Sequence, residues 1–305
     1  GGEADPASRP GRPHSGDRTG MLSDDEQNGR REREERVPLA GLFHLFVVYV
    51  VWGSTYLAIR VAVRDGAGFP PFLLGATRTL AAALLLVGWT ALRRGRLRPT
   101  RREASVIVIS GLLMWIGGNG LVNWAERHAD SGYAALLVGT TPMWIALFEA
   151  LVDRRAPSLR LAGAILLGFL GLFVLTWPVL RAGGTADLWS VVALILAPFW
   201  WGIGLVLQSR RPGTLAPATS AGYQQLAGAA GLFLVAFMAG EPSPQPVAEA
   251  WIAWGYLVLA GSVLAFTSFL RALRLLPARL VATYSYVNPV IAVLLGWLVL
   301  GERIT

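Results

Sequence analysis

From residue 41 onward the chain is a succession of apolar stretches, each about 20 residues long, between short connections that hold most of the charge. Val106 to Trp115 and Leu161 to Leu175 are apolar on every helical face, so the pattern is neither the period of two of a half-buried strand nor the single stripe of a surface helix. Membrane barrel strands are also shorter, at about 10 alternating residues. A helix satisfies its own backbone hydrogen bonds, as a segment in lipid must. The pattern predicts an all-α polytopic membrane protein with nine visible transmembrane helices, over 41 to 63, 70 to 92, 104 to 124, 131 to 152, 159 to 180, 187 to 208, 216 to 239, 251 to 270 and 279 to 300.

Two stretches, Leu136 to Leu151 and Thr283 to Val299, are diverged copies of one another, with Pro142 and Pro289 in register 147 residues apart. The same offset pairs Ala125 with Ala272, Arg127 with Arg274 and Arg78 with Gln225; two residues adrift, it pairs Trp52-Gly53 with Trp201-Gly202. Such a long period is read before local structure because it sets the architecture. It divides the chain into a first repeat of five spans over 41 to 180 and a second of four over 187 to 305. An odd number of spans per repeat makes the two copies enter the membrane from opposite sides, as inverted repeats about an in-plane pseudo-twofold axis. The partner of Leu159 to Leu180 is then expected as a tenth span beyond Thr305.

Composition agrees with a membrane protein: 54% of residues are hydrophobic and only 15% charged, with a mean hydropathy of +0.50. The net charge of +8 would suit a nucleic-acid partner, but its placement argues for topology instead. Arg93, Arg94, Arg96, Arg98, Arg101 and Arg102 lie between spans two and three, and Arg154, Arg155, Arg160, Arg210, Arg211, Arg271, Arg274 and Arg279 fall on the same side. The opposite connections hold Arg60, Arg64, Arg127 and Arg181, so the positive-inside rule places the N-terminus in the cytoplasm. Residues 1 to 40, rich in Gly, Pro and mixed charge, are expected to be a disordered cytoplasmic tail, with Met21 as an alternative start. No signal-peptide pattern precedes the first span.

Several chemistries lose their machinery. Cysteine is absent, so there is no thiol catalysis or thiolate metal site, and His14, His44 and His128 are too far apart for a metal cluster. No P-loop, nucleophile elbow or His-Glu-x-x-His occurs, so ATP-driven transport, common hydrolase mechanisms, a cofactor and catalytic residues are not expected.

The polar residues inside the spans carry the functional expectation. Pro142 and Pro289 sit about ten residues into their spans, and a proline there frees a carbonyl four residues back. Interrupted helices at matching places in two repeats point to a transport pathway. Arg78 is too deep in span two to snorkel; it can serve an anionic substrate group or bond carbonyls of neighbouring helices. Asn119 and Asn123 share one face of span three, as site residues or as interhelical glue. Asn288 precedes Pro289, with Tyr284 one turn away on its face. Trp52 and Trp201 lie at mid-span rather than in the interfacial belts, where packing or stacking on a substrate are equal readings. Tyr56 and Tyr223 are secondary cavity candidates. Glu126 ranks first for proton coupling, although a solvated helix end is the plainer expectation for it.

With Trp52-Gly53-Ser54-Thr55-Tyr56, Gly118-Asn119-Gly120, Ala125-Glu126, the run from Ala282 through Pro289 and Gly301-Glu302, the chain resembles the EamA branch of the drug/metabolite transporter superfamily over about residues 41 to 305. That resemblance implies ten helices in two inverted five-helix repeats and export of amino acids, other metabolites or toxic compounds across bacterial inner membranes. Asp153-Arg154-Arg155 departs from the Gly-Glu ending. The expectation is a secondary carrier for a small-molecule substrate in the lipid bilayer, working by alternating access around a midplane cavity, with no nucleic-acid partner. A sensor or assembly partner that keeps the fold without transporting is the competing class.

Overall fold

Prolines punctuate the helix starts. Pro38 precedes the first helix, Pro71 and Pro217 occupy the first turn of two others, and Pro277 precedes the last; there the missing N–H costs nothing and the fixed φ suits the helix. Thr100 and Glu103 cap each other reciprocally, the Thr100 hydroxyl accepting from Glu103 N and the Glu103 carboxylate from Thr100 N.

The computed structural model describes residues 1–2, 38–155, 158–182 and 185–302. The expected tail over 1 to 40 falls almost wholly outside the described residues. The helices belong to one unit that begins at Pro38. In chain order they are α1 Leu39–Val63, α2 Pro71–Leu92, α3 Arg101–Ala125, α4 Ser131–Asp153, α5 Leu159–Ala182, α6 Thr185–Arg210, α7 Pro217–Met238, α8 Ala248–Leu275 and α9 Ala278–Leu300. No strand occurs among the described residues, and eight helices there are long and apolar enough to cross a membrane. The expected span over 159 to 180 coincides with α5, several of whose side chains lie outside the described set.

Boundaries differ most at α8, which runs to Leu275 rather than to 270. Arg271 and Arg274, expected in the connection, therefore stand in its last turns. There Arg274 donates to the Leu215 carbonyl, and cations suit a helix C-terminus.

Apolar side chains such as Phe46, Leu84, Phe237 and Ile252 are exposed on the flanks, whereas Thr79, Ser110, Asn123 and Gln225 are fully buried. This inversion of the soluble pattern is what lipid on the outside demands. Trp89 and Trp177 stand near helix ends with the Arg93 and Arg181 guanidinium groups over their rings, as expected of interfacial anchors.

Helices related by the sequence offset share irregularities. α3 widens to i→i+5 turns over Leu113–Gly120 and α8 over Leu257–Ala265. α4 is broken at Gly139–Thr140 and α9 at Ala282–Thr283. Pro142 opens the second half of α4, and the Val138 carbonyl that it frees is taken by the Thr141 hydroxyl at 2.6 Å rather than being offered to a cavity. Pro289 lies inside the second half of α9, six residues past the break. The two breaks meet, because a Cβ on Gly139 would stand 3.2 Å from the Ser285 carbonyl oxygen. α2 packs most extensively on α7, where Gly75 faces Leu232 and Gly222 faces Val87 closely enough that a methyl group would collide.

At the distal end, where α1 finishes, carboxylates of the second half cap helix starts of the first. Glu241 accepts from Phe72 N at 3.0 Å and Leu73 N at 2.8 Å. Glu302 accepts from Ser131 N at 3.1 Å and from the Ser131 hydroxyl at 2.7 Å. At the proximal end Asp153 is instead engaged by Arg210 through two bonds of 2.6 and 2.8 Å. Glu241→Ala and Glu302→Ala are each expected to cost about 1 kcal/mol, read as a lower unfolding midpoint in detergent. The double variant should show the sum, because the two caps share no partner; an unchanged midpoint in both single variants would refute the capping role.

Candidate functional site

Glycines let the helices at the centre approach closely enough to shape a cavity. A Cβ on Gly118 of α3 would stand 2.8 Å from Trp201 Cε3 of α6, and one on Gly228 of α7 would stand 2.4 Å from Trp115 Cβ. Trp115 and Trp201 are thus seated against backbone, with their rings turned into the space between the helices. That space, counted together with its open mouth, takes in about 610 Å³ free of atoms.

Of the residues singled out in the sequence, Trp52, Arg78, Asn119, Trp201, Tyr284 and Asn288 line this cavity. They come from α1, α2, α3, α6 and α9. Trp52 forms the aromatic centre: its ring lies 5.4 Å from Trp201 and 5.1 Å from Tyr284, both edge-to-face, and 5.0 Å from Phe269. Its indole N–H donates to the Gly261 carbonyl at 3.2 Å, in the widened part of α8. Asn288, oriented so that its amide nitrogen donates to the Tyr284 carbonyl at 3.1 Å and the Tyr49 carbonyl at 3.2 Å, ties α9 to α1.

Arg78 is 4% exposed, and its Nε and Nη1 have no hydrogen-bond partner. Its guanidinium carbon stands 5.5 Å from the Trp115 ring centroid, a cation–π contact. Among the described residues no carboxylate pairs with it within 4.0 Å. The matching Gln225 is not on the cavity; it donates to the Ser262 carbonyl at 3.0 Å and the Ala221 carbonyl at 3.3 Å. The two positions matched by the sequence offset are therefore chemically unequal.

Three expectations are corrected by position. Asn123 is not brought to the cavity: fully buried, it donates to the Pro71 carbonyl at 3.2 Å, because its position on α3 faces the start of α2. Tyr223 is likewise absent from the lining, whereas Tyr56 is present. Glu126 is not a solvated helix end but fully buried, with both carboxylate oxygens unpaired. Arg60 covers it from α1, donating to the Glu126 and Arg127 carbonyls at 2.6 Å each. In the same distal connection, burial and the Glu302 carboxylate push the Asp130 carboxyl above its usual range, against the pull of Arg60.

Trp115, Gly118 and Gly261 also line the cavity without having been singled out as site residues. Trp115 was within reach of the sequence, since it stands four residues before Asn119 on a helix. Gly261 had no signal, because only its carbonyl matters. Gly118→Ala is expected to push the Trp201 ring across the cavity, destabilising the fold by about 1–3 kcal/mol and lowering affinity for any occupant. Full stability and affinity, by thermal unfolding and calorimetry, would show that the ring does not depend on that contact.

Among the described residues, a helical bundle with an apolar exterior, broken helices and a central cavity that holds a buried arginine defines a polytopic membrane protein with an internal cavity. The chain belongs to the EamA-like transporter family, whose profile matches residues 39–177 and 188–305. It is 34% identical over 274 residues to the "uncharacterized inner membrane transporter YedA" of Escherichia coli K12, covering 88% of this chain and 85% of that protein. It is 25% identical over 275 residues to a "probable terminal-alkyne amino-acid exporter" of Streptantibioticus cattleyicolor, covering 85% and 84%. A solved crystal structure shares the fold with a TM-score of 0.65 at 24% identity, covering 88% of this chain and 92% of that one.

Proposed function

We propose that this protein is a secondary transporter of the bacterial inner membrane that exports small metabolites, amino acids or amphiphilic compounds by alternating access. The observation that carries this reading is the cavity itself: both sequence copies build it, Trp52, Arg78, Trp115 and Asn119 from the first and Trp201, Gly261, Tyr284 and Asn288 from the second. A site shared by two inverted repeats opens to one side and then the other as the repeats rock. The proximal end, with its arginines, faces the cytoplasm on this reading. The relatives named as an inner membrane transporter and an amino-acid exporter support the localisation and the substrate range.

Substrate contacts fall to Arg78, Asn119, Trp52, Trp201, Tyr284 and Asn288, with the breaks before Pro289 and around Pro142 as bending points. Glu126 is the proton-coupling candidate, facing Arg60, Arg78, Glu302 and Tyr56. Glu126→Gln is then expected to remove the response of flux to an imposed pH gradient, and an undiminished response would exclude it.

The test of the whole reading is counterflow in liposomes with radiolabelled amino acids, organic acids and amphiphilic cations. Saturable exchange of any of these establishes a carrier. No exchange of any of them by well-folded protein would favour the non-transporting sensor or assembly partner.

A further inference from the structure

The cavity is not chemically neutral toward its occupant. Among the described residues its unpaired polar groups are mostly donors: Nε and Nη1 of Arg78 and the indole N–H of Trp115 are buried without a partner, while the buried Trp201 indole N–H lies within reach of the Tyr284 hydroxyl. Against them stands one buried unpaired acceptor on the lining, Asn119 Oδ1. Among the described residues no aspartate or glutamate lines the cavity. The Glu126 carboxylate is buried nearby but lies off the lining, and neither of its oxygens bonds to the guanidinium.

A buried donor without an acceptor is costly, and a buried cation without an anion more so. The occupant that removes the cost brings acceptor oxygens and one negative charge, and a carboxylate or sulfonate fits the planar guanidinium fork. The rest of the lining is flat and aromatic. Trp52, Trp201 and Tyr284 offer edges and faces to a ring, whereas the Trp115 face already carries the Arg78 cation.

The geometry points to an aromatic or similarly flat organic monoanion as the ligand of this site, in preference to a zwitterion or a cation with the same apolar body. The inference rests on the cavity being the substrate site and narrows what it takes. An added ammonium group would sit beside Arg78, the charged side chain of the lining, with no lining carboxylate among the described residues to pair with it. Discrimination comes from that unfavourable placement as much as from the favourable pair at Arg78.

Three compounds with one ring and three charge states separate the possibilities: indole-3-acetate, tryptophan and tryptamine, which at neutral pH are an anion, a zwitterion and a cation. Each is titrated calorimetrically into the detergent-purified chain. Each is also measured as radiolabelled counterflow in liposomes at neutral pH, with protein-free vesicles subtracted. Indole-3-acetate is expected to bind and exchange roughly tenfold or more better than either of the others. Arg78→Gln, which preserves polarity and introduces the side chain that the second copy carries, should erase that preference while leaving the unfolding midpoint near the parent value. Tryptophan or tryptamine binding as well as indole-3-acetate would overturn the inference. So would exchange of other compounds by a chain that does not bind indole-3-acetate, although the carrier reading would then survive. Binding of indole-3-acetate without exchange of any compound would uphold the ligand class and overturn the carrier.

Discussion

Arg78→Ala is expected to reduce exchange of anionic and zwitterionic substrates to the level of protein-free liposomes while leaving the folded protein as stable as before or more so. The two halves of that result have one cause. A buried guanidinium with unpaired N–H groups is a net burden on the fold, held at a cost of at least ~2.5 kcal/mol for an arginine in the bilayer centre, and offset here in part by the contact with the Trp115 ring at 5.5 Å. Such a contact is worth about 1 kcal/mol or somewhat more, so deleting the side chain relieves more than it removes. A residue kept against its own stability cost is the signature of a functional site. Loss of transport with a preserved unfolding midpoint would establish Arg78 as a ligand-contacting residue. A marked fall in the midpoint would mean that the guanidinium bonds the helices together, and unchanged flux would remove it from the site.

Trp52→Ala is expected to show the opposite balance, with a large loss of stability accompanying the loss of transport. The indole is the hub of the aromatic cluster, with Trp201, Phe269 and Tyr284 rings 5.0 to 5.4 Å away. It also holds the widened turn of α8 through the Gly261 carbonyl. Truncating a buried tryptophan costs about 3–5 kcal/mol through lost contacts and the void left behind. Trp52→Phe keeps most of the contacts and forfeits the hydrogen bond, worth about 1 kcal/mol. That variant should retain a folded protein with weakened affinity. Thermal unfolding in detergent beside counterflow checks both; a stable, fully active Trp52→Ala would show that the cluster is filled without it.

The helices were legible because a membrane span writes its signal locally: Pro71–Leu92 and Pro217–Met238 are recovered to within a residue or two from apolar length and a flanking proline. Trp52 and Trp201 were found through a different signal, the offset between the copies, and the structure brings them edge-to-face at 5.4 Å. Trp115 was passed over although it stands four residues from Asn119, since one apolar aromatic among Leu113, Met114 and Ile116 does not announce which way it faces. Glu126 was misread for a related reason. Its position at the end of α3 suggests water, and the partners that gather at it, such as Arg60 sixty-six residues earlier, come from other helices.

By itself the sequence determined that the chain is a series of membrane-length apolar helices and roughly where the described ones begin and end, and that an arginine had been placed where a lone charge is expensive. Those properties depend on the length of apolar runs and on the identity of single residues, which a linear text contains. Tertiary structure alone decided that Arg78 faces a cavity while its counterpart Gln225 bonds Ser262 and Ala221 carbonyls, that Asn123 holds the start of α2, and that Glu241 and Glu302 cap helices of the other half. Each of these is a choice of partner across the bundle. A span that is apolar on every face carries no local preference for which side meets its neighbours, so close approach at glycines and the pairing of scarce polar groups fix the answer only once the helices have packed.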